Sequence, residues 1–179
     1  AVFMIIMGIT VSIFVSIIQH QKSILQEQEF LNQISYVTEY MSRTIRAAIK
    51  DTTGSCLLGP TGGPGSIYLL THQDFSASFF NGIKFITKNN VCQEFFLDTD
   101  GILKEIKNGG APQNILSSKF QIKYVRFIIN GNKSFNVASE KDSIQPRITI
   151  VSDVKIQTPL GQQEKIIQTT VSQINLNLK

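Results

Sequence analysis

The first eighteen residues of the chain contain no charged side chain, and the sequence that follows them turns polar without a break. Thr10, Ser12 and Ser16 are the polar side chains of this run, and no proline, glycine pair or turn cluster ends it. A helix satisfies its own backbone hydrogen bonds, so an uncharged helical stretch is well suited to cross a lipid bilayer. The sequence therefore predicts one helix that leaves hydrocarbon and enters water without interruption.

Eleven residues of this run are Val, Ile or Phe. Together they favour membrane insertion by roughly 3 to 7 kcal/mol. Eighteen helical residues cover about 27 Å, slightly less than a bilayer core of ~30 Å, so we expect further residues upstream of Ala1. A secretory signal peptide is disfavoured because the run lacks a basic start and a small-residue cleavage site. Residues 1–18 are thus predicted to be the membrane half of the helix, with packing side chains Val2, Phe3, Ile5, Ile6, Ile9, Ile13, Phe14 and Ile17.

Beyond residue 18 the apolar side chains recur mostly at three- and four-residue steps, which places them on one face of a helix. Asp51 begins a plausible stop, and Gly54 can adopt the left-handed conformation of a helix cap. We expect one helix from Ala1 to about Lys50, roughly 75 Å long. Residues 19–51 form its amphipathic half, whose predicted sheet-packing side chains are Ile34, Val37, Met41, Ile45 and Ala48.

Residues 52–179 are predicted to form a globular antiparallel β domain. A glycine-rich loop at 54–65 comes first, and it lacks the lysine of a phosphate-binding loop. Strand patterns follow at 67–71, 82–87, 91–97, 102–107, 120–129, 147–157 and 165–176. Turns are predicted at residues 88–90 and 98–101, at Asn130 and Gly131, and around 158–164. The mostly short turns favour an antiparallel meander covered by the amphipathic half of the helix, which is an α+β fold.

The chain has two cysteines, Cys56 and Cys92, and neither has a second cysteine or a histidine at a metal-binding spacing. They could form one disulfide outside the cytoplasm and would be buried thiols in the cytosol. His20 and His72 have no second ligand at metal spacing, so no metal site is expected.

No catalytic group or cofactor site is expected from the remaining polar residues. Glu94, Asp98, Asp100 and Glu105 are read as surface carboxylates, and the DTDG at 98–101 as a hairpin turn rather than a calcium loop. The net charge of +4 is scattered, without a basic block interleaved with aromatic residues, which argues against nucleic-acid binding.

Two stretches carry a family resemblance. LQEQEFLNQISYVTEYMSRTIRAAI at 25–49 is similar to the end of the helix in minor pseudopilins. QPRITIVSDV at 145–154 and IIQTTVSQINLN at 166–177 resemble the closing strands of the same proteins. From end to end the chain resembles a type IV pilin or pseudopilin. The signature of that family is a basic leader cleaved after glycine, then a phenylalanine and a glutamate, and it would lie upstream of Ala1.

The resemblance implies a pilin-like fold and a structural subunit, not an enzyme. Such a subunit spans the inner membrane once, with its domain outside the cytoplasm. It then joins a pilus or secretion filament through the N-terminal helices of other subunits. The alternative is an extracytoplasmic binding module held by a single membrane anchor. Whether the subunit is major or minor, and whether it serves a pilus, secretion or DNA uptake, stays open at this point.

Overall fold

The computed structural model describes residues 2–60, 62–74, 78–117, 120–131, 145–158 and 161–174. Ala1, Thr61, the centre of the turn predicted around 158–164, and the predicted strand end at 175–176 lie outside the described residues.

One helix, α1, runs from Val2–Arg46 over 45 residues. It is continuous across the boundary between apolar and polar sequence, as predicted. It ends four residues earlier than expected, because Ala48 and Ile49 form a short strand, β1. These two residues pair with Thr87 and Ile86 of a later strand. Gly54 does have a φ of 72°, but it lies in the loop beyond β1 and does not cap the helix.

Eight further strands follow in two antiparallel sheets. In the first sheet the order is β1-β3-β4-β5-β6, and β2 also pairs with β3. Its strands are β2 Tyr68–Asp74, β3 Phe79–Thr87, β4 Cys92–Leu97, β5 Leu103–Lys107 and β6 Gln113–Asn114. The second sheet has the order β7-β8-β9, with β7 Gln121–Asn130, β8 Arg147–Thr158 and β9 Gly161–Ser172.

Two predicted turns are present in the first sheet. The N–H of Asn90 donates to the Thr87 carbonyl at 3.0 Å, and the N–H of Gly101 donates to the Asp98 carbonyl at 3.0 Å. Each turn joins two neighbouring antiparallel strands.

The two turns predicted in the second sheet differ from the structure. Asn130 pairs with Arg147, so residues 131–146 separate β7 from β8 and the expected two-residue turn is wrong. In the last hairpin the ladder continues to Thr158 and Gly161, so the turn is shorter than predicted. The register between long strands decides both connections, and local turn chemistry does not reveal that register.

Both sheets pack against the second half of α1. Phe30 of the helix is buried and meets the Phe120 ring at a centroid distance of 5.3 Å. The buried cluster continues through Phe85 and Phe95 of the first sheet and Ile148 of the second. The molecule therefore has the α+β, pilin-like arrangement that the sequence predicts, with the core on one side of the helix.

Candidate functional site

The first half of α1 is exposed along its whole length. The eight side chains predicted to pack in a membrane have exposed fractions from 49% at Ile17 to 70% at Val2 and Phe3. None of the most apolar 18-residue window is buried, and its mean hydropathy is 2.4. By length and composition α1 is a candidate single membrane span. An apolar surface of this extent requires lipid or protein to cover it.

The second half of α1 is covered by the sheets on one face. Ile34, Val37, Met41 and Ile45 are buried in the core shared by both sheets. Ala48 is buried as well, but it belongs to β1 and not to the helix. The same helix therefore presents apolar side chains to its own domain in one half and to the surroundings in the other.

Four polar side chains, the Tyr40 cluster, fix α1 to the first sheet. The Tyr40 hydroxyl donates to Oε1 of Glu105 at 2.6 Å, and Gln93 donates to the same oxygen. Lys107 donates to the Tyr40 oxygen at 3.1 Å and lies 3.0 Å from Oε2 of Glu105. Glu105 is buried, so its interpretation as a surface carboxylate is wrong, and a buried carboxylate without such partners would be costly. The cluster therefore favours one position of the helix along the sheet.

Burial raises the pKa of the Tyr40 hydroxyl, and its hydrogen bond to the Glu105 carboxylate raises it further. The hydrogen bond to Tyr40 and the contact with Glu105 raise the pKa of Lys107. Tyr40 thus stays neutral and Lys107 stays charged at neutral pH, which are the protonation states that the cluster requires.

The segment after β9 ties down the C-terminal end of α1. The N–H of Ile174 donates to the Arg46 carbonyl at 3.1 Å. The side-chain amide of the buried Gln173 donates to the Ala48 carbonyl at 2.9 Å. No sequence pattern singles out Gln173, although it lies within the stretch 166–177 that carries the family resemblance.

A disulfide joins Cys56 to Cys92, with an S–S distance of 1.97 Å and a Cα–Cα distance of 5.8 Å. It holds the glycine-rich loop against the first sheet, where Leu57, Leu69 and Ile86 form a second apolar cluster. Of the two states that the sequence left open, the structure has the bonded one.

Asp51 organises the same loop from inside. Its carboxylate accepts hydrogen bonds from the N–H groups of Gly54 at 2.7 Å and of Cys56 and Leu57 at 2.9 Å each. Burial raises the pKa of Asp51, but the hydrogen bonds from Leu57, Cys56 and Gly54 outweigh it, so the pKa lies below its usual value. The sequence pattern indicates only a helix stop at Asp51, because it does not reveal the loop conformation that turns these nearby N–H groups toward the carboxylate.

Three other titratable side chains considered in the sequence, His72, Glu94 and Asp98, lie in two separate small contacts, and His20 and Asp100 are exposed. The His72 ring stacks on Phe96 at 4.4 Å, with its Nε2 atom 3.2 Å from Glu94. Asp98 forms an ion pair with Lys104. Within the described residues no group of three or more His, Cys, Asp or Glu side chains could hold a metal ion.

Comparisons of this chain with protein-family models, with curated proteins and with solved structures gave no match. Function must therefore be inferred from the residues and their geometry. The distinctive geometry is a long helix with one exposed apolar half and one half fastened to two sheets.

Proposed function

We propose that this protein is a structural subunit, a minor pilin or pseudopilin, of a type IV pilus-like or type II secretion-like filament. The observation that carries the proposal is the continuous helix, exposed and apolar over residues 2–18 and built into the domain core from Phe30 to Ile45. Before assembly, inner-membrane lipid would cover the exposed half. In the filament, the same half of neighbouring subunits would replace that lipid.

An unbroken helix suits both states. Lipid and packed apolar helices are similar solvents for Val, Ile and Phe, so a subunit can exchange one for the other at modest cost. The sheets must then keep a fixed orientation relative to the packed helices. The Tyr40 cluster and the Gln173 contact support that fixed orientation.

The disulfide supports a domain outside the cytoplasm, because disulfides persist in oxidising compartments. The domain would face the periplasm or the exterior, with α1 as its single membrane anchor. We propose no catalytic role for the three buried carboxylates of the described residues. Asp51 and Glu105 are engaged in hydrogen bonds that hold the fold together, and Asp153 lies 3.7 Å from the ammonium group of Lys123.

The test replaces Ile9 with Asp in the centre of the exposed half. A charge there costs about 2.5 to 3.5 kcal/mol in a membrane helix. We expect at least a tenfold lower amount of Ile9→Asp than of wild type in sheared filaments. The matched control is Gln28→Asp, which adds the same charge at an exposed position of the amphipathic half. This variant should assemble normally.

Normal recovery of Ile9→Asp in filaments would contradict packing of this half in a filament core. If wild type is found only in the membrane fraction and never in sheared filaments, the single-anchor binding module becomes the better explanation. Quantifying each variant in the membrane fraction separates an insertion defect from an assembly defect.

A further inference from the structure

Strand β9 forms one edge of the second sheet along its full length of 12 residues. It pairs with β8 from Gly161 to Ser172, and within the described residues no strand pairs with its other side. The stretch IIQTTVS at 166–172 contains no charge, proline or glycine. Such an edge offers a row of free backbone N–H and C=O groups to an incoming strand.

The other sheet edges that the structure describes are short or irregular. β1 and β6 have two residues each. In β2, His72 has a φ of 53°, and β7 has a register shift between Ile122 and Tyr124 and exposes Lys123 and Arg126. Short strands, bulges and charged side chains all discourage strand addition. β9 has none of these protections between residues 166 and 172.

One side of α1 lies alongside this edge. Glu27, Leu31 and Thr38 lie on the same side of the helix, since they are four and then seven residues apart. Glu27 forms an ion pair with Lys165 of β9, and Thr38 lines the same small cavity as Ile167. Leu31 lies between these two contacts and is 41% exposed. The free edge therefore has an uncovered apolar side chain next to it.

We propose that this edge accepts an extended strand from a non-identical subunit of the filament. The incoming strand becomes the fourth strand of the second sheet. This inference rests on the proposed function. Backbone hydrogen bonds to β9 would supply the affinity, and alternate side chains the specificity. The incoming strand would be uncharged, with apolar side chains over Leu31 and Ile24 and polar side chains beside Gln168 and Thr170.

The donor is a different subunit for a reason of symmetry. Pairing the same edge of two identical chains requires a two-fold axis, whereas neighbours in a polar filament point in the same direction and use two different surfaces. Among the described strands, no second long and neutral edge is present to serve as donor to β9. A non-identical subunit with an extended apolar segment meets both requirements.

The test uses the full chain, as the free subunit in detergent micelles and as the assembled subunit in sheared filaments. Backbone amide hydrogen exchange is measured for residues 165–172 in both states. We expect the amides of β9 that do not bond to β8 to exchange at least tenfold more slowly in the filament.

An edge variant, Gln168→Lys with Thr170→Lys, places two charges at exposed positions of β9. The matched control, Ile128→Lys with Asn130→Lys, places two charges at the same spacing on exposed positions of β7 at the opposite edge. We expect the edge variant to be at least fivefold depleted from filaments and the control to be incorporated like wild type. Equal thermal unfolding of the two variants in micelles would show that both fold. If one variant does not fold, the hydrogen exchange of wild-type β9 in micelles and filaments tests the proposal by itself.

Three results would overturn the proposal. Equal exchange of β9 in micelles and filaments would reject strand addition and leave the proposed function standing. Absence of wild type from filaments would reject both. A dimer of the full chain in micelles that the edge variant abolishes would identify a second copy as the occupant, in place of a different subunit.

Discussion

Asp51 shows how a single buried residue holds an irregular segment of this protein. The carboxylate accepts hydrogen bonds from four backbone N–H groups of a loop that has little regular structure, those of Thr53, Gly54, Cys56 and Leu57. The backbone of the same residue receives a hydrogen bond from Gly65 and donates one to Ser66. Asp51 thus joins both ends of the loop that carries Cys56, and the disulfide then fastens that loop to β4.

The first prediction concerns Asp51→Asn. An amide has one acceptor oxygen and brings an NH₂ group toward backbone donors, so we expect a loss of about 1 to 3 kcal/mol in the free energy of unfolding at pH 7. Chemical denaturation of the subunit in micelles measures it. Asp100→Asn, at an exposed position, is the control and should leave stability unchanged.

The same variant should also change how the free energy of unfolding depends on pH. The folded pKa of Asp51 lies below its unfolded value, so its ionised carboxylate stabilises the fold above the unfolded pKa. This contribution is lost as the pH falls from about 4 through the folded pKa. We expect wild-type stability to decline more steeply than that of Asp51→Asn in this range. Parallel declines would show that Asp51 does not contribute to acid sensitivity.

At the level of elements, α1 combines two different relations to its surroundings. The exposed half has apolar side chains on every face, whereas the second half buries one face from Phe30 to Ile45. Between them lies a polar stretch in which Gln21 is exposed. Gln21 lies outside the described core, so a substitution there tests the continuity of the helix separately from the stability of the domain.

The second prediction is that Gln21→Pro separates assembly from folding. Proline inside a helix removes one hydrogen bond and kinks the chain, at a local cost of about 3 kcal/mol. We expect the thermal unfolding of the β domain to match wild type, while incorporation into filaments falls at least tenfold. Gln21→Ala keeps the helix and should assemble normally. Assembly of Gln21→Pro at wild-type amounts would show that a continuous helix is not required.

The whole molecule has surfaces suited to two different solvents. Its mean hydropathy of +0.05 is unremarkable because a strongly apolar end is averaged with a polar domain. The domain builds its core from residues of α1 from Phe30 onward together with buried side chains of every described strand except β6. Residues 2–18 contribute no buried side chain to it.

The third prediction follows from this division. A chain shortened to residues 19–179 should fold, keep the disulfide and remain soluble without detergent, because it retains every buried apolar residue of the described core. The full chain should require detergent or lipid. Gel filtration, far-UV circular dichroism and mass under non-reducing conditions check these points. A soluble full-length monomer without detergent would contradict the assignment of residues 2–18 as an exposed apolar surface.

The sequence by itself determined the two-part helix, the α+β class and two hairpins of the first sheet, β3–β4 and β4–β5. These features follow from local signals: the uncharged run, the three- and four-residue spacing from Ile34 to Ile45, and the turn residues at 88–90 and 98–101. Each signal lies within a few residues of the structure it specifies, so periodicity and turn chemistry are sufficient to read it.

Only the tertiary structure decided the contacts between distant parts of the chain. The helix ends at Arg46 because Ala48 and Ile49 pair with β3. No two-residue turn forms at Asn130 and Gly131, because Asn130 pairs with Arg147 of β8. The hydrogen-bond partners of Glu105 and Gln173 likewise come from segments brought together by folding. These contacts are stabilised by burial and strand pairing across the whole domain, and a local sequence pattern does not reveal that stabilisation.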